Sequence, residues 1–387
     1  MQITKSERPH ISFFGCTNSG KSSLVNAITN QSLAVVSEIK GTTTDPVEKS
    51  MEILPLGPVV IIDTAGIDDD GQLGELRIEK TKRVLDKTDI AVLVIDSTIG
   101  LQDEDNKLIS YFKEREIPYV VAYNKIDLLS LKPLNNDILV SAKTGEGVNE
   151  LRENLGRIIN NNKQEKYIIR DRLSKGDVVV LVIPIDESAP KGRIILPQQN
   201  VLRECLDAHA TAVCCQVDEL NGILNTFNPK YVITDSQVFN QVKDIVSEDI
   251  ILTSFSILMA NYRGKLNNLI RGAKTISELK DGDKVLISEG CTHHRQCNDI
   301  GTVKFPKWIS DYTNKNIEFD FTQGGEFPAD LSKYKLIIHC GGCMINEQEM
   351  KSRQQKAFVQ NIPIVNYGMA IAYMNGILER ALMIFNN

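Results

Sequence analysis

Nothing in these 387 residues reads as a membrane span, because no apolar run approaches the length needed to cross a bilayer. The stretch from Met1 to His10 also lacks the apolar core of a signal segment. A cytoplasmic location is the expectation. There is no surplus of positive charge either: 44 Lys and Arg stand against 50 Asp and Glu, a formal net charge of -6. A broad nucleic-acid surface needs clustered cations to neutralise phosphates, so nucleic acid is not the expected partner. The chain carries no tail rich in Lys, Arg and aromatic residues, no internal repeat of fixed period and no low-complexity tract. Eight cysteines in a chain expected in a reducing compartment do not point to a disulfide framework. Hydrophobic residues at 42% and charged residues at 24% are ordinary for a globular protein, and the length suffices for two or three domains.

Apolar runs supply the organisation. Ile11 to Phe14, Val59 to Ile62, Ile90 to Ile95 and Tyr119 to Tyr123 read as strands buried on both faces of a parallel sheet. Polar segments with helical spacing, such as 75–88 and 103–115, lie between them, which is the alternation of a doubly wound domain. Residues 160–166 are polar without apolar period and read as a linker. Runs at 178–185, 212–217, 231–233 and 250–252 then alternate with helical segments near 199–209, 236–247 and 256–270. This second unit carries no recognisable catalytic motif, which points to docking or self-association. A third begins near Thr275, with strands 284–288 and 334–338 and helices near 347–360 and 369–385. The expected fold is α/β throughout: a doubly wound N-terminal domain over 1–160, then two smaller α/β domains over 170–272 and 275–387.

Chemistry-bearing motifs sit at the ends of the strands. Gly15-Cys16-Thr17-Asn18-Ser19-Gly20-Lys21-Ser22 fits the phosphate-loop pattern, in which backbone N–H groups cradle phosphate oxygens, and Ser23 continues it into a helix. Lys21 is placed to reach the β- and γ-phosphates and Ser22 to ligate Mg²⁺. In Asp63-Thr64-Ala65-Gly66 the carboxylate can hold Mg²⁺ through water, and Gly66 can offer its N–H to the γ-phosphate. Asn124-Lys125-Ile126-Asp127 selects guanine, since Asp127 can accept from both N1 and N2, a donor pair adenine lacks. Ser141-Ala142-Lys143 can present a backbone N–H to guanine O6. Each tetrapeptide alone is weak; four in order define a GTP/GDP and Mg²⁺ site.

These motifs resemble those of translation-factor-like GTPases of the Era and TrmE branch. Gly41-Thr42-Thr43-Thr44-Asp45 is similar to that branch's first switch, which makes Thr43 the Mg²⁺-ligating threonine. The resemblance places Asn18 where potassium-activated members help to coordinate K⁺; a solvated loop residue is the alternative. Ile67 stands where Ras-type proteins carry a water-orienting Gln, and a hydrocarbon side chain cannot orient water. Hydrolysis, with Lys21, Thr43 and Gly66 as its catalytic groups, is therefore expected to need a monovalent cation or a partner.

A second cluster lies near the other end. Cys291-Thr292-His293-His294 and His339-Cys340-Gly341-Gly342-Cys343 each follow a strand run. Together they hold three Cys and at least two His in a chain with only five His. Gly341 and Gly342 supply the backbone freedom that lets Cys340 and Cys343 aim at one metal. Residue types leave zinc and iron–sulfur open. His293, His294, His339, Glu289 or water could complete a fourth position. Cys297 falls outside the repeated pattern. Cys16, Cys205, Cys214 and Cys215 lie in the phosphate loop or by apolar runs and read as loop or packing residues.

Arg8-Pro9-His10-Ile11 leading into the phosphate loop, a middle α/β unit, and Cys-x-His with a distant His-Cys-x-x-Cys resemble the [FeFe]-hydrogenase maturation GTPases over essentially the whole chain. That resemblance implies a GTPase domain, a dimerisation domain and a cluster domain, with a [4Fe-4S] cluster on Cys291, Cys340 and Cys343. It implies a homodimer that carries a diiron precursor, receives it with the help of two radical-SAM maturases and delivers it to apo-hydrogenase. The rival from another class is an Era-like GTPase with a zinc module acting on RNA or ribosomes. A purely structural zinc domain is a second rival.

Overall fold

The computed structural model describes residues 4–30, 46–66, 72–129, 138–161, 166–185, 194–290, 299–342 and 344–386. Two compact units make up the chain: Met1–Gln164 with Asn346–Glu349, and Glu165–Ile345 with Met350–Asn387.

The first unit is built on β1 (His10–Phe14), β2 (Val47–Ile53), β3 (Gly57–Asp63), β4 (Ile90–Asp96), β5 (Tyr119–Asn124) and β6 (Ile138–Leu139), in the order β2-β3-β1-β4-β5-β6. Only β2 runs antiparallel to its neighbour; the other pairs are parallel. Successive side chains leave opposite faces of a strand, so one apolar run serves two cores. Ile11, Phe13, Ile61, Val92 and Val94 pack on helices Lys21–Thr29 and Val148–Asn161. Phe14, Val60, Ile62, Leu93 and Ile95 pack with Leu85 and with Leu108 and Phe112 of helix Asp103–Glu114. That is the doubly wound arrangement expected from the runs.

The second unit holds two four-stranded parallel sheets. β7 (Val178–Val182), β8 (Thr211–Cys215), β9 (Tyr231–Thr234) and β10 (Ile251–Ser254) are ordered β10-β9-β7-β8. β11 (Lys284–Glu289), β12 (Glu318–Gln323), β13 (Leu336–His339) and β14 (Ile364–Asn366) are ordered β12-β11-β13-β14. Val180, Val232 and Leu252 of the one sheet and Val285, Ile287 and Ile337 of the other belong to one continuous core. Ile384, at the far end of the chain, packs instead against Val179, Leu181 and Phe255. Arg172 and Thr253 add hydrogen bonds of 2.7 and 2.9 Å to the Ile384 and Ala381 carbonyls.

Three local expectations need correction. Asn160 and Asn161, read as linker, close helix Val148–Asn161, whose core residues Val148, Leu151, Leu155 and Ile159 recur at helical spacing. The helical segment 256–270 is two helices, Phe255–Arg263 and Leu266–Thr275. Gly264 between them is extended, and a Cβ there would stand 2.7 Å from Gln354 Nε2. Cys214, read with the packing cysteines, is exposed on the edge strand β8, whereas Cys16, Cys205 and Cys215 are buried. Among the described residues no helix is long and apolar enough to cross a membrane.

Candidate nucleotide site and metal centre

Strand β1 ends at Phe14, and the chain turns through Gly15 (φ 141°) into the loop before helix Lys21–Thr29. Gly20, in the left-handed region at φ 88°, is the cap of that helix. A Cβ on Gly15 would meet the Val94 carbonyl at 2.3 Å, and one on Gly20 would meet Asn124 Nδ2 at 2.2 Å. Both positions thus need glycine for conformation and for space. Lys21 is buried and its ammonium donates back to the Gly15 and Cys16 carbonyls at 3.0 and 2.8 Å. Ser22 Oγ donates to Asp63 Oδ2 at 2.6 Å, so the two expected Mg²⁺ partners already meet.

The same place holds polar atoms that the protein leaves unsatisfied. Asp63 Oδ1 and Ser19 Oγ are buried without a hydrogen-bond partner. Burial pushes the Asp63 carboxyl above its usual range, against the opposing pull of Ser22 and Lys21. A buried acceptor and hydroxyl facing no partner cost stability unless a ligand completes them. A cation beside Asp63 and an oxyanion in the loop would do so, and the donor set fits both. Gly66 lies over the loop: a Cβ there would stand 2.3 Å from Thr17 Oγ1. Asn18 is exposed at φ 64°, and Ser23 is half-buried in the first turn of the helix. Thr43 and Ile67 lie outside the described residues.

The segments expected to select the base are knitted to the Gly15–Ser22 loop by one amide. Asn124 Nδ2 donates to the Ser19 carbonyl at 3.0 Å, and Asn124 Oδ1 accepts from Ala142 N at 3.0 Å. Lys125, at φ 67°, reaches Asp96 Oδ2 at 2.6 Å. Ser141 Oγ donates to Asp127 Oδ1 at 2.7 Å and accepts from Thr144 N at 3.1 Å. Asp127 and Lys143 are exposed. Two residues outside the motifs also belong here. Asp96 ends β4 and fixes Lys125. Asp105 is buried under the loop, where its Oδ1 accepts from Cys16 Sγ at 3.6 Å; burial raises its pKa. Neither is marked by local sequence, because both act through contacts distant in the chain.

Near the other cysteine motif, β13 ends at His339 and Cys340 follows, half-buried. Cys291, His293, His294, Cys297 and Cys343 lie outside the described residues. Their neighbours are informative. Gly290 N donates to Cys340 Sγ at 3.0 Å and Gly342 N at 3.4 Å. Gly290 immediately precedes Cys291, and Gly342 immediately precedes Cys343. Gly342 is left-handed (φ 65°), and a Cβ there would meet Met350 Cε at 2.3 Å. Arg263 donates to the Gly342 carbonyl at 2.6 Å. Both nitrogens of His339 are engaged: Nδ1 with the Cys340 carbonyl at 2.7 Å, Nε2 with Arg353 Nη1 at 2.9 Å. Burial, and then the Arg353 charge, push its imidazole down to about 3. It is therefore neutral and held beside the thiol by hydrogen bonds. Glu289, buried at the end of β11, accepts from Tyr367 Oη at 3.2 Å, and burial drives that phenol's pKa up. Among the described residues no three His, Cys, Asp or Glu side chains gather as a metal site. Cys340, with a sulfur that accepts two N–H groups at a strand end, is still a donor suited to a thiolate-bound centre.

Comparisons with known proteins follow this division. Residues 267–384 match the model of the hydrogen maturase F tetramerization domain and residues 168–264 that of the hydrogen maturase F dimerization domain. Residues 10–125 match the 50S ribosome-binding GTPase model. The tRNA modification GTPase MnmE of Acetivibrio thermocellus is 35% identical over 147 residues, covering 35% of this chain and 31% of that protein. MnmE of Dechloromonas aromatica is 32% identical over 171 residues, covering 42% and 38%. The chain spans only 31% to 38% of the length of these curated relatives. Among solved structures, a point variant of Aquifex aeolicus Era bound to GDP.AlF4- is 19% identical, covering 54% of this chain and 93% of that one, with a TM-score of 0.36. mGMPPNP-bound NFeoB of S. thermophilus is 23% identical, covering 42% and 66%, with a TM-score of 0.33. The first unit is a P-loop GTPase domain, and α/β units follow it.

Proposed function

We propose, from the premise that this chain belongs to the hydrogen maturase F family, that it hydrolyses GTP and serves as an iron–sulfur scaffold in hydrogenase maturation. In this reading a [4Fe-4S] cluster sits on Cys291, Cys340 and Cys343. The cargo is the diiron precursor of the [FeFe]-hydrogenase active site. The observation that carries the reading is the convergence on Cys340 Sγ: the residues directly before Cys291 and Cys343 both donate N–H groups to that sulfur. Gly290 and Gly342 thus bring the backbone to this sulfur at the positions that directly precede Cys291 and Cys343 in the sequence. Hydrogen bonds from N–H to sulfur also stabilise the thiolate and tune such a centre. When bound, the cluster supplies an iron site at which a precursor can be held and exchanged. His339, with both nitrogens engaged, supports Cys340; His293 and Glu289 stay as candidates for a fourth position.

In the first unit, Lys21, Thr43 and Gly66 stabilise charge on the transferred phosphoryl group, Ser22, Thr43 and Asp63 hold Mg²⁺, and Asn18 helps to hold K⁺. Residues 170–272 associate copies of the chain and residues 275–387 carry the cluster. Apo-hydrogenase and two radical-SAM maturases are its partners, in the cytoplasm.

Two results test this. Anaerobically purified and reconstituted protein should hold about four iron and four sulfide per chain with a cluster EPR signal, as a [4Fe-4S] centre requires. Cys340→Ser should abolish that signal and leave GTP turnover unchanged. Stoichiometric zinc without iron after reconstitution refutes the scaffold reading and favours the zinc module. Replacing K⁺ by Na⁺ should slow GTP turnover about tenfold, the loss of ~1.4 kcal/mol of transition-state stabilisation; equal rates remove Asn18 from the cation site.

A further inference from the structure

Among the described residues Arg353 is the largest side chain that the fold buries almost completely, at 2% exposure, and no motif described above contains it. It projects from helix Glu347–Val359. Its Nη1 donates to Ser288 Oγ at 3.3 Å and to His339 Nε2 at 2.9 Å, and its Nη2 donates to the Gly324 carbonyl. The guanidinium also lies 5.3 Å from the centre of the Phe327 ring. Gly324 directly follows β12, Ser288 is the penultimate residue of β11, and His339 closes β13. These three strands are neighbours in one sheet. One guanidinium thus ties together the carboxyl ends of three adjacent strands, and two of those ends lead into Cys291 and Cys340.

We propose that Arg353 is a positioning residue, a clasp that fixes the spacing between the ends of β11 and β13, the strands that in the sequence lead on to Cys291 and Cys340. Its meaning for the centre rests on the cluster reading above; the clasp itself is a property of the metal-free chain. A planar guanidinium offers five donors in a fixed fork, and an ammonium cannot reach three divergent acceptors in that geometry. The contact with His339 passes the constraint on. Because Nε2 accepts from Arg353, the ring proton is on Nδ1, which donates to the Cys340 carbonyl. Cys340 N in turn donates to the Ser288 carbonyl at 3.0 Å, which closes a loop of contacts through both strands. The cation also lies beside the strand end that carries Cys340, where its charge favours the more negative, reduced form of an anionic centre.

The test uses the full chain carrying Arg353→Lys, Arg353→Gln, His339→Asn or His339→Ala. In metal-free protein, hydrogen–deuterium exchange in peptides spanning 286–290 and 338–342 should be about tenfold faster in Arg353→Lys, with the rest of the second unit and GTP turnover unchanged. His339→Asn, which keeps an N–H for the Cys340 carbonyl, should exchange more slowly at 338–342 than His339→Ala. In reconstituted protein, Arg353→Gln should retain iron but shift the reduction midpoint negative and alter the EPR line shape; Arg353→Lys, which keeps the charge, should shift the midpoint less. Wild-type exchange in Arg353→Lys, or acceleration spread evenly through the unit, overturns the clasp. If wild-type protein takes up no iron, the cluster reading fails, and exchange in the metal-free chain still decides for or against Arg353.

Discussion

Gly20→Val should cost the protein its guanine nucleotide while leaving it folded. The left-handed backbone at Gly20 disfavours any residue with a Cβ by roughly 1–2 kcal/mol. The Cβ would also stand 2.2 Å from Asn124 Nδ2. That amide donates to the Ser19 carbonyl and accepts from Ala142 N, so moving it disturbs the phosphate loop and the guanine-recognition segment together. Overpacking of this kind adds about 1–3 kcal/mol, and relief comes by displacing Asn124, an expected part of the nucleotide site. Affinity for a fluorescent GDP analogue should fall about 100-fold or more, equivalent to ~2.7 kcal/mol. Gly57→Ala is the control. Gly57 is also left-handed (φ 78°), but a Cβ there meets nothing within 4 Å. It should lower the urea midpoint slightly and leave GDP affinity alone. Equal affinities in Gly20→Val and wild type would mean that the loop does not hold the phosphates.

Much of this site was legible in the sequence because its parts are short contiguous motifs at strand ends. The strands were legible because runs such as Ile90 to Ile95 are buried on both faces, which leaves no polar alternation. Edge strands gave no such signal. β2 is mostly exposed or half-buried, with Glu48, Lys49, Ser50 and Glu52 along it, and its pairing with β3 rather than its composition makes it a strand. β12 (Glu-Phe-Asp-Phe-Thr-Gln) is the edge of its sheet in the same way. Helix Val148–Asn161 did carry its apolar period, but its Asn-rich end looked like a linker. The buried partners were beyond reach. In Glu347–Val359, Arg353 stands among Lys351, Ser352, Gln354, Gln355 and Lys356, where a solvent-facing cation is the ordinary reading. Only the meeting of that helix with three strand ends turns it inward. Asp105 likewise looks like one of three first-turn acids of a helix, and only its proximity to Cys16 makes it part of the loop.

Asp127→Asn should exchange the base preference of the site from guanine to xanthine. Guanine presents two donors, N1–H and the N2 amino group, and a carboxylate accepts both. Xanthine keeps N1–H but replaces the amino group by a carbonyl, so it needs one acceptor and one donor, which an amide supplies. The orientation of that amide is set in advance. Ser141 Oγ accepts from Thr144 N and donates to Asp127 Oδ1, so it requires an acceptor at that atom. In the variant the amide oxygen takes this place and the NH₂ group turns towards the base. Against guanine, a charged hydrogen bond of about 1.5–3 kcal/mol is lost and a donor is left facing a donor, at a further 1–3 kcal/mol. GTP kcat/KM should therefore fall roughly 10²- to 10³-fold or more. XTP, a poor substrate for the wild type, should become the better one. Adding Ser141→Ala removes the group that orients the amide, and the preference for XTP should shrink. If Asp127→Asn still favours GTP, then Asp127 does not read the base and the Asn124–Asp127 segment serves only to brace the phosphate loop.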